Sequence, residues 1–169
     1  MRIAFLIGAL GAITTSSALP WNTTAAISNF TGGIQPYGHR GIPVNMKKCM
    51  GDTLSKKNYL TAKQLLVVWS EAGGYIHPGG VQAMSYPGTK NAVTWYVCNC
   101  KLLHWDRVPE WELDDVQRIL EEACGEWQSG WVWSKKWQKG FNVVPTEWYK
   151  NQIANDKRIC PPHCSSPFG

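Results

Sequence analysis

The side chains in this sequence most able to do chemistry are those of its six cysteines. Thiolates can act as nucleophiles, bind metal ions or oxidise in pairs. The spacings Cys98-x-Cys100 and Cys160-Pro-Pro-His-Cys164 do not match the usual spacing of zinc ligands. An even number of cysteines in a chain with a secretory leader is typical of a disulfide framework. We therefore predict no metal site, no cofactor and no cysteine nucleophile. The residues predicted to form disulfides are Cys49, Cys98, Cys100, Cys124, Cys160 and Cys164.

Two of the four histidines are candidates for acid–base catalysis. His77 lies in a Gly/Pro-rich loop and His104 in the connection before a predicted helix. With Glu110 and Arg107 they would supply the acid, base and cation that a small ribonuclease needs. The chain contains no serine-nucleophile motif and no glycine loop for phosphates. Acidic residues at the helix start are explained by the helix dipole rather than by a glycosidase pair. We predict that the protein is not an enzyme.

Binding is better supported than catalysis, because the chain carries ten tryptophans. Trp131, Trp133 and Trp137 are interleaved with Lys135 and Lys136. Exposed tryptophans stack on sugar rings or lie at membrane interfaces, and lysines meet anionic groups. The alternative is that these tryptophans pack in the core. We predict a binding surface at these five residues. The formal net charge of +5 is mild, so no nucleic-acid partner is expected.

The first residues predict secretion. Arg2 precedes a short apolar run, and small residues lead up to Ala18, which is the pattern of a cleaved signal peptide over residues 1–18. Residues 19–45 are rich in Thr, Ser, Gly and Asn and predict a flexible arm, with glycosylation acceptors at Asn22 and Asn29. Residues 46–169 are predicted to form a single disulfide-rich domain, and the protein is predicted to be extracellular.

The spacing of apolar residues predicts an α+β domain. A strand near Cys49 comes first, and the chain ends in a C-terminal extension with a third helix. The order β-α-β-β-α-β favours a ferredoxin-like two-layer sandwich. Because Cys124 lies on the apolar face of the second helix, we predict a disulfide from it to Cys98 or Cys100. The other predicted elements are helix 61–72, strands 81–86 and 92–100, helix 109–124, strand 130–133 and helix 147–155.

Two segments resemble a known group of proteins. The segment Trp95-Tyr96-Val97-Cys98-Asn99-Cys100 and the run DVQRILEEACGEWQSGW from Asp115 are similar to small cysteine-rich secreted proteins of filamentous fungi. Several of these are effectors of plant-associated species, and some families resemble killer toxins with α/β-sandwich folds. The resemblance implies non-enzymatic action on a host or competitor that promotes virulence or modulates immunity or cell death. It implies a host protein, or a cell-wall or membrane component, as partner. A glycan-binding module and a small secreted ribonuclease remain the alternatives.

Overall fold

The computed structural model describes residues 41–160 and residue 164. The predicted signal peptide, Asn22, Asn29 and most of the predicted arm lie outside the described residues. Ile42, near the end of that arm, is buried in the core, and its backbone N–H donates to Asp115 Oδ2 at 2.6 Å. The elements are β1 (Met46–Thr53), α1 (Lys56–Glu71), β2 (Val81–Tyr86), β3 (Val93–Asn99), α2 (Glu110–Cys124), β4 (Gln128–Ser134), β5 (Lys139–Pro145) and α3 (Thr146–Ala154).

The strands form one antiparallel sheet in the order β1-β4-β5-β3-β2. The predicted mixture of helices, strands and disulfides is therefore confirmed, but the ferredoxin-like order is not. A fifth strand, β5, follows β4 in a hairpin and separates it from β3. The prediction lacked this strand because the hairpin turn, residues 135–138, contains no Gly, Pro, Asn or Asp to mark it.

Both faces of the sheet are covered. On the first face, α1 packs on β2 and β3, and α2 packs on β4 and β1. The core between these helices and the sheet includes Val93, Trp95 and Val97 of β3. On the second face, Tyr96 and Cys98 pack against α3 and the segment around Cys160. β3 is therefore buried on both sides, and every residue of that strand is buried. The C-terminal segment covers the second face through Trp148 and Tyr149 of α3, whereas Trp137 and Phe141 belong to the first-face core.

Three disulfides join Cys49 to Cys124, Cys98 to Cys160 and Cys100 to Cys164. The predicted bridge from Cys124 to Cys98 or Cys100 is wrong. Cys98 lies on the second face of the sheet, whereas α2 lies on the first face and packs on β4 and β1. A Cβ at Gly130 would lie 2.9 Å from Leu120 Cδ2, so glycine there lets α2 approach the sheet beside Cys49.

Candidate functional site

The structure divides the predicted tryptophan and lysine surface among three places. Trp131 and Trp133 are two residues apart on β4 and share the second face of the sheet. Trp133 is 3 % exposed, so it offers little surface to a ligand. Lys135 and Lys136 are exposed in the turn after β4. Trp137 packs edge-on against a helix tryptophan on the first face, with 5.8 Å between ring centroids. Trp133 and Lys135 line one pocket, whereas Trp131 lines another and Trp137 belongs to the core of the first face.

Among residues 41–160, the most exposed apolar side chains lie instead in the connection between β3 and α2. Leu102 is 63 % exposed, Leu103 82 % and Trp105 64 %. Of the tryptophans in residues 41–160, Trp105 is the one that is exposed. We call residues 102–105 the apolar loop. Tyr75, in the α1–β2 connection, adds a fourth exposed apolar side chain. A sequence signal existed, because two leucines and a tryptophan stand here outside any predicted helix or strand.

The apolar loop is held to the α1–β2 connection by one buried amide. Asn99 is fully buried, and its Nδ2 lies 3.0 Å from the carbonyl oxygen of Ile76, 3.2 Å from that of His77 and 2.7 Å from that of His104. Ile76 and Asp106 also exchange backbone hydrogen bonds of 2.8 and 2.9 Å. These bonds fix the backbone from which the apolar side chains project.

Replacing Asn99 with aspartate should lower the free energy of unfolding by at least about 1–3 kcal/mol, because the carbonyls lose their buried donor and a carboxyl group is buried beside them. Denaturant unfolding should measure the loss, and amide exchange should become faster at Ile76 and Asp106. Asn45→Asp is the matched control. Asn45 is exposed and accepts from the Lys135 N–H through Oδ1 at 2.7 Å, which an aspartate can also do. Equal stability of the two variants would contradict the role of Asn99.

A buried ion-pair network lies next to the apolar loop. Lys139 is 1 % exposed, and its Nζ lies 2.5 Å from Glu112 Oε2 and 3.5 Å from Asp106 Oδ1. Lys139 also donates to the carbonyl oxygen of Arg107. Lys101 Nζ completes the network at 2.6 Å from Asp106 Oδ2. Burial raises the pKa of the Glu112 carboxyl, and the charge of Lys139 opposes that rise. The network joins β5, the start of α2 and the end of the β3–α2 connection.

Two further acidic residues early in α2, Asp114 and Asp115, also form ion pairs. Asp114 lies 2.5 Å from Lys63 Nζ, which links α2 to α1. Asp115 is buried and pairs with Arg118 at 2.5 Å. These contacts support the predicted structural role of the acids.

Three of the four residues considered for a ribonuclease site lie at the apolar loop, namely His77, His104 and Arg107. His77 and His104 are exposed, and the carbonyl groups of both lie beside the same Asn99 amide. The His77 ring lies 6.2 Å from the Trp105 ring. Arg107 places its guanidinium carbon 4.4 Å from the Tyr75 ring centroid and donates to the Tyr75 hydroxyl. Within the described residues, no three His, Cys, Asp or Glu side chains are grouped to hold a metal ion.

Comparison with known proteins gives no relative: no family model, no curated protein and no solved structure matches the chain. None of the helices in residues 41–160 has the length and apolar character needed to cross a membrane. The candidate site is therefore defined by geometry alone. It consists of an apolar loop that projects from a rigid, hydrogen-bonded base.

Proposed function

We propose that this is a secreted, non-enzymatic effector or toxin-like protein that acts on a host or competitor by binding a protein partner through the apolar loop. The observation that carries the proposal is the exposure of Leu102, Leu103 and Trp105 together. Exposed apolar groups of this kind mark interaction sites on soluble proteins. The resemblance to secreted fungal proteins supplies the context of virulence and cell death.

The residue types favour a protein partner. Trp105, Tyr75 and Arg107 are the three types most enriched among the side chains that dominate binding energy at interfaces. Asn99 and the Ile76–Asp106 bridge hold the loop backbone in place before binding, which lowers the entropy lost on association. Insertion into a bilayer needs apolar area but not a fixed arrangement, so the rigid base gives a reason to prefer a protein.

The test compares loop variants with a matched surface variant. Leu103→Asp and Trp105→Ala should each raise the dose of purified protein needed for a response in infiltrated leaf tissue by roughly tenfold or more. Their thermal stability should be unchanged, because both side chains are exposed. Val68→Asp is the control, since Val68 is 53 % exposed on α1 and lies outside the loop.

Two outcomes would contradict the proposal. One is an unchanged dose response in both loop variants. The other is binding of wild-type protein to vesicles of phosphatidylcholine and phosphatidylserine that is lost in Leu103→Asp, which would make the loop a membrane anchor.

A ribonuclease is the second candidate, supported by the placement of His77, His104 and Arg107 around one loop. Under the proposed binding function, purified protein leaves RNA intact. Cleavage of RNA that disappears in both His77→Ala and His104→Ala would replace binding with catalysis as the function.

A further inference from the structure

A pocket of about 240 Å³ lies on the second face of the sheet, and none of the residues that line it belongs to the apolar loop. The register of the strands explains which side chains form the base of this pocket. Lys48 of β1 is paired with Trp131 of β4, Trp131 with Asn142 of β5, and Asn142 with Tyr96 of β3. These four side chains therefore stand in one row across the sheet. Trp148 of α3, together with residues 158–160, adds further walls.

Asn142 is the unusual member of this row. It is 3 % exposed, and its Nδ2 is buried with no hydrogen-bond acceptor in the part of the chain that the structure describes. Its neighbour Tyr96 is already satisfied, because its hydroxyl donates to the Ile159 carbonyl oxygen at 2.9 Å. A buried donor without a partner costs stability. Such a group in a pocket wall points to a bound acceptor.

The other side chains indicate what kind of ligand carries that acceptor. Trp131 and Trp148 are half-buried and offer apolar ring surfaces. The exposed Lys48 gives the pocket a positive charge. The volume is below that of sites for drug-sized ligands, so it suits a single ring. A six-membered sugar ring has apolar faces, oxygen acceptors around its edge and, in uronic acids, a carboxylate.

We infer that this pocket binds an acidic sugar residue, a uronic acid, between Trp131 and Trp148 with Asn142 as a hydrogen-bond donor to it. This site is separate from the apolar loop and does not rest on the proposed protein partner. Binding of a uronic acid in this pocket would give the protein a second point of attachment, to an acidic polysaccharide.

The first experiment titrates the full protein with free glucuronate and galacturonate by calorimetry and by NMR of the tryptophan indole N–H groups. We expect the indole signals of Trp131 and Trp148 to move and that of Trp105 to stay in place. Uronates should bind roughly tenfold more tightly than glucose and galactose, because Lys48 favours an anion. Benzoate, which has the charge and a ring but no hydroxyl groups, should bind more weakly than the uronates. The inference is overturned by the absence of saturable uronate binding or by tighter binding of benzoate.

The second experiment separates a binding role from a structural one. Asn142→Leu should weaken uronate binding by about tenfold or more while leaving the denaturation midpoint unchanged or raised, because the variant loses an unpartnered polar group. A lowered midpoint would show that Asn142 is structural and would overturn its assignment. Lys48→Gln should remove most of the preference for uronates over neutral sugars. Lys47→Gln is the matched control, since Lys47 is exposed on the same strand but points to the other face. Leu103→Asp should bind uronates normally.

Discussion

Replacing Lys139 with alanine lowers the free energy of unfolding by about 3–5 kcal/mol, which is the usual cost of removing one partner of a buried ion pair. Lys139 is 1 % exposed and lies 2.5 Å from Glu112 and 3.5 Å from Asp106. Without the ammonium group, the Glu112 carboxylate is buried without its nearest cation. Denaturant unfolding of wild type and variant at neutral pH measures the difference.

The loss of stability in Lys139→Ala should become smaller as the pH falls. Burial raises the pKa of Glu112 in the folded protein, and Lys139 opposes that rise. In Lys139→Ala the folded pKa rises further above the unfolded value of about 4.3. The native state then binds a proton more tightly than the unfolded chain. The contribution of Glu112 to the stability of the variant is therefore greatest below the unfolded pKa, and it falls as the pH rises through the folded pKa. The variant should be less destabilised at about pH 4 than at about pH 7.

Two further variants test this explanation. Lys136→Ala, in the exposed turn before β5, should change the unfolding free energy by less than about 0.5 kcal/mol. Lys139→Met combined with Glu112→Leu should recover most of the lost stability, because no unpaired charge remains on either of these residues. A pH-independent loss in Lys139→Ala, or no recovery in the double variant, would show that Lys139 acts by packing rather than charge.

Removing the Cys98–Cys160 disulfide by alanine substitution at both positions should cost about 2–5 kcal/mol of unfolding free energy. The bridge joins residues 62 apart in sequence, and Cys98 is fully buried in β3. Its loss also releases the segment that holds the Tyr96 hydroxyl through Ile159. We therefore expect weaker amide protection around Ile159 and loss of uronate binding, in addition to lower stability.

The control for this prediction is removal of the Cys49–Cys124 bridge. This bridge joins residues 75 apart in sequence and lies on the other face of the sheet. That variant should lose comparable stability but keep uronate binding. Peptide mapping of the wild type should recover the pairs 49–124, 98–160 and 100–164. A different pairing of Cys98, or equal loss of uronate binding in both variants, would contradict the prediction.

Local signals in the sequence were enough to predict several elements. The spacing of its apolar face predicts helix α2, and Gly125 ends the helix at φ 91°. Short-range patterns also predict strands β2 and β3 and helix α3, which occur close to the predicted positions. Helix α1 begins at Lys56, five residues before the predicted start at Thr61, because the buried Tyr59 extends its packed face toward Trp95. Each of these signals lies within a few residues of the element that it predicts.

By itself, the sequence determined that the chain forms helices and strands and that its six cysteines form an even, pairable set. Only the tertiary structure decided which cysteines meet, that β5 lies between β3 and β4, and that Trp105 rather than Trp133 is exposed. The apolar periodicity of a helix and the residue types of a turn involve only a few neighbouring positions, so they can be recognised directly in a sequence. Disulfide pairing depends on residues 62 to 75 positions apart being brought together. The residue type Trp is compatible with either a core or a surface, and only the packing of distant elements decides between them.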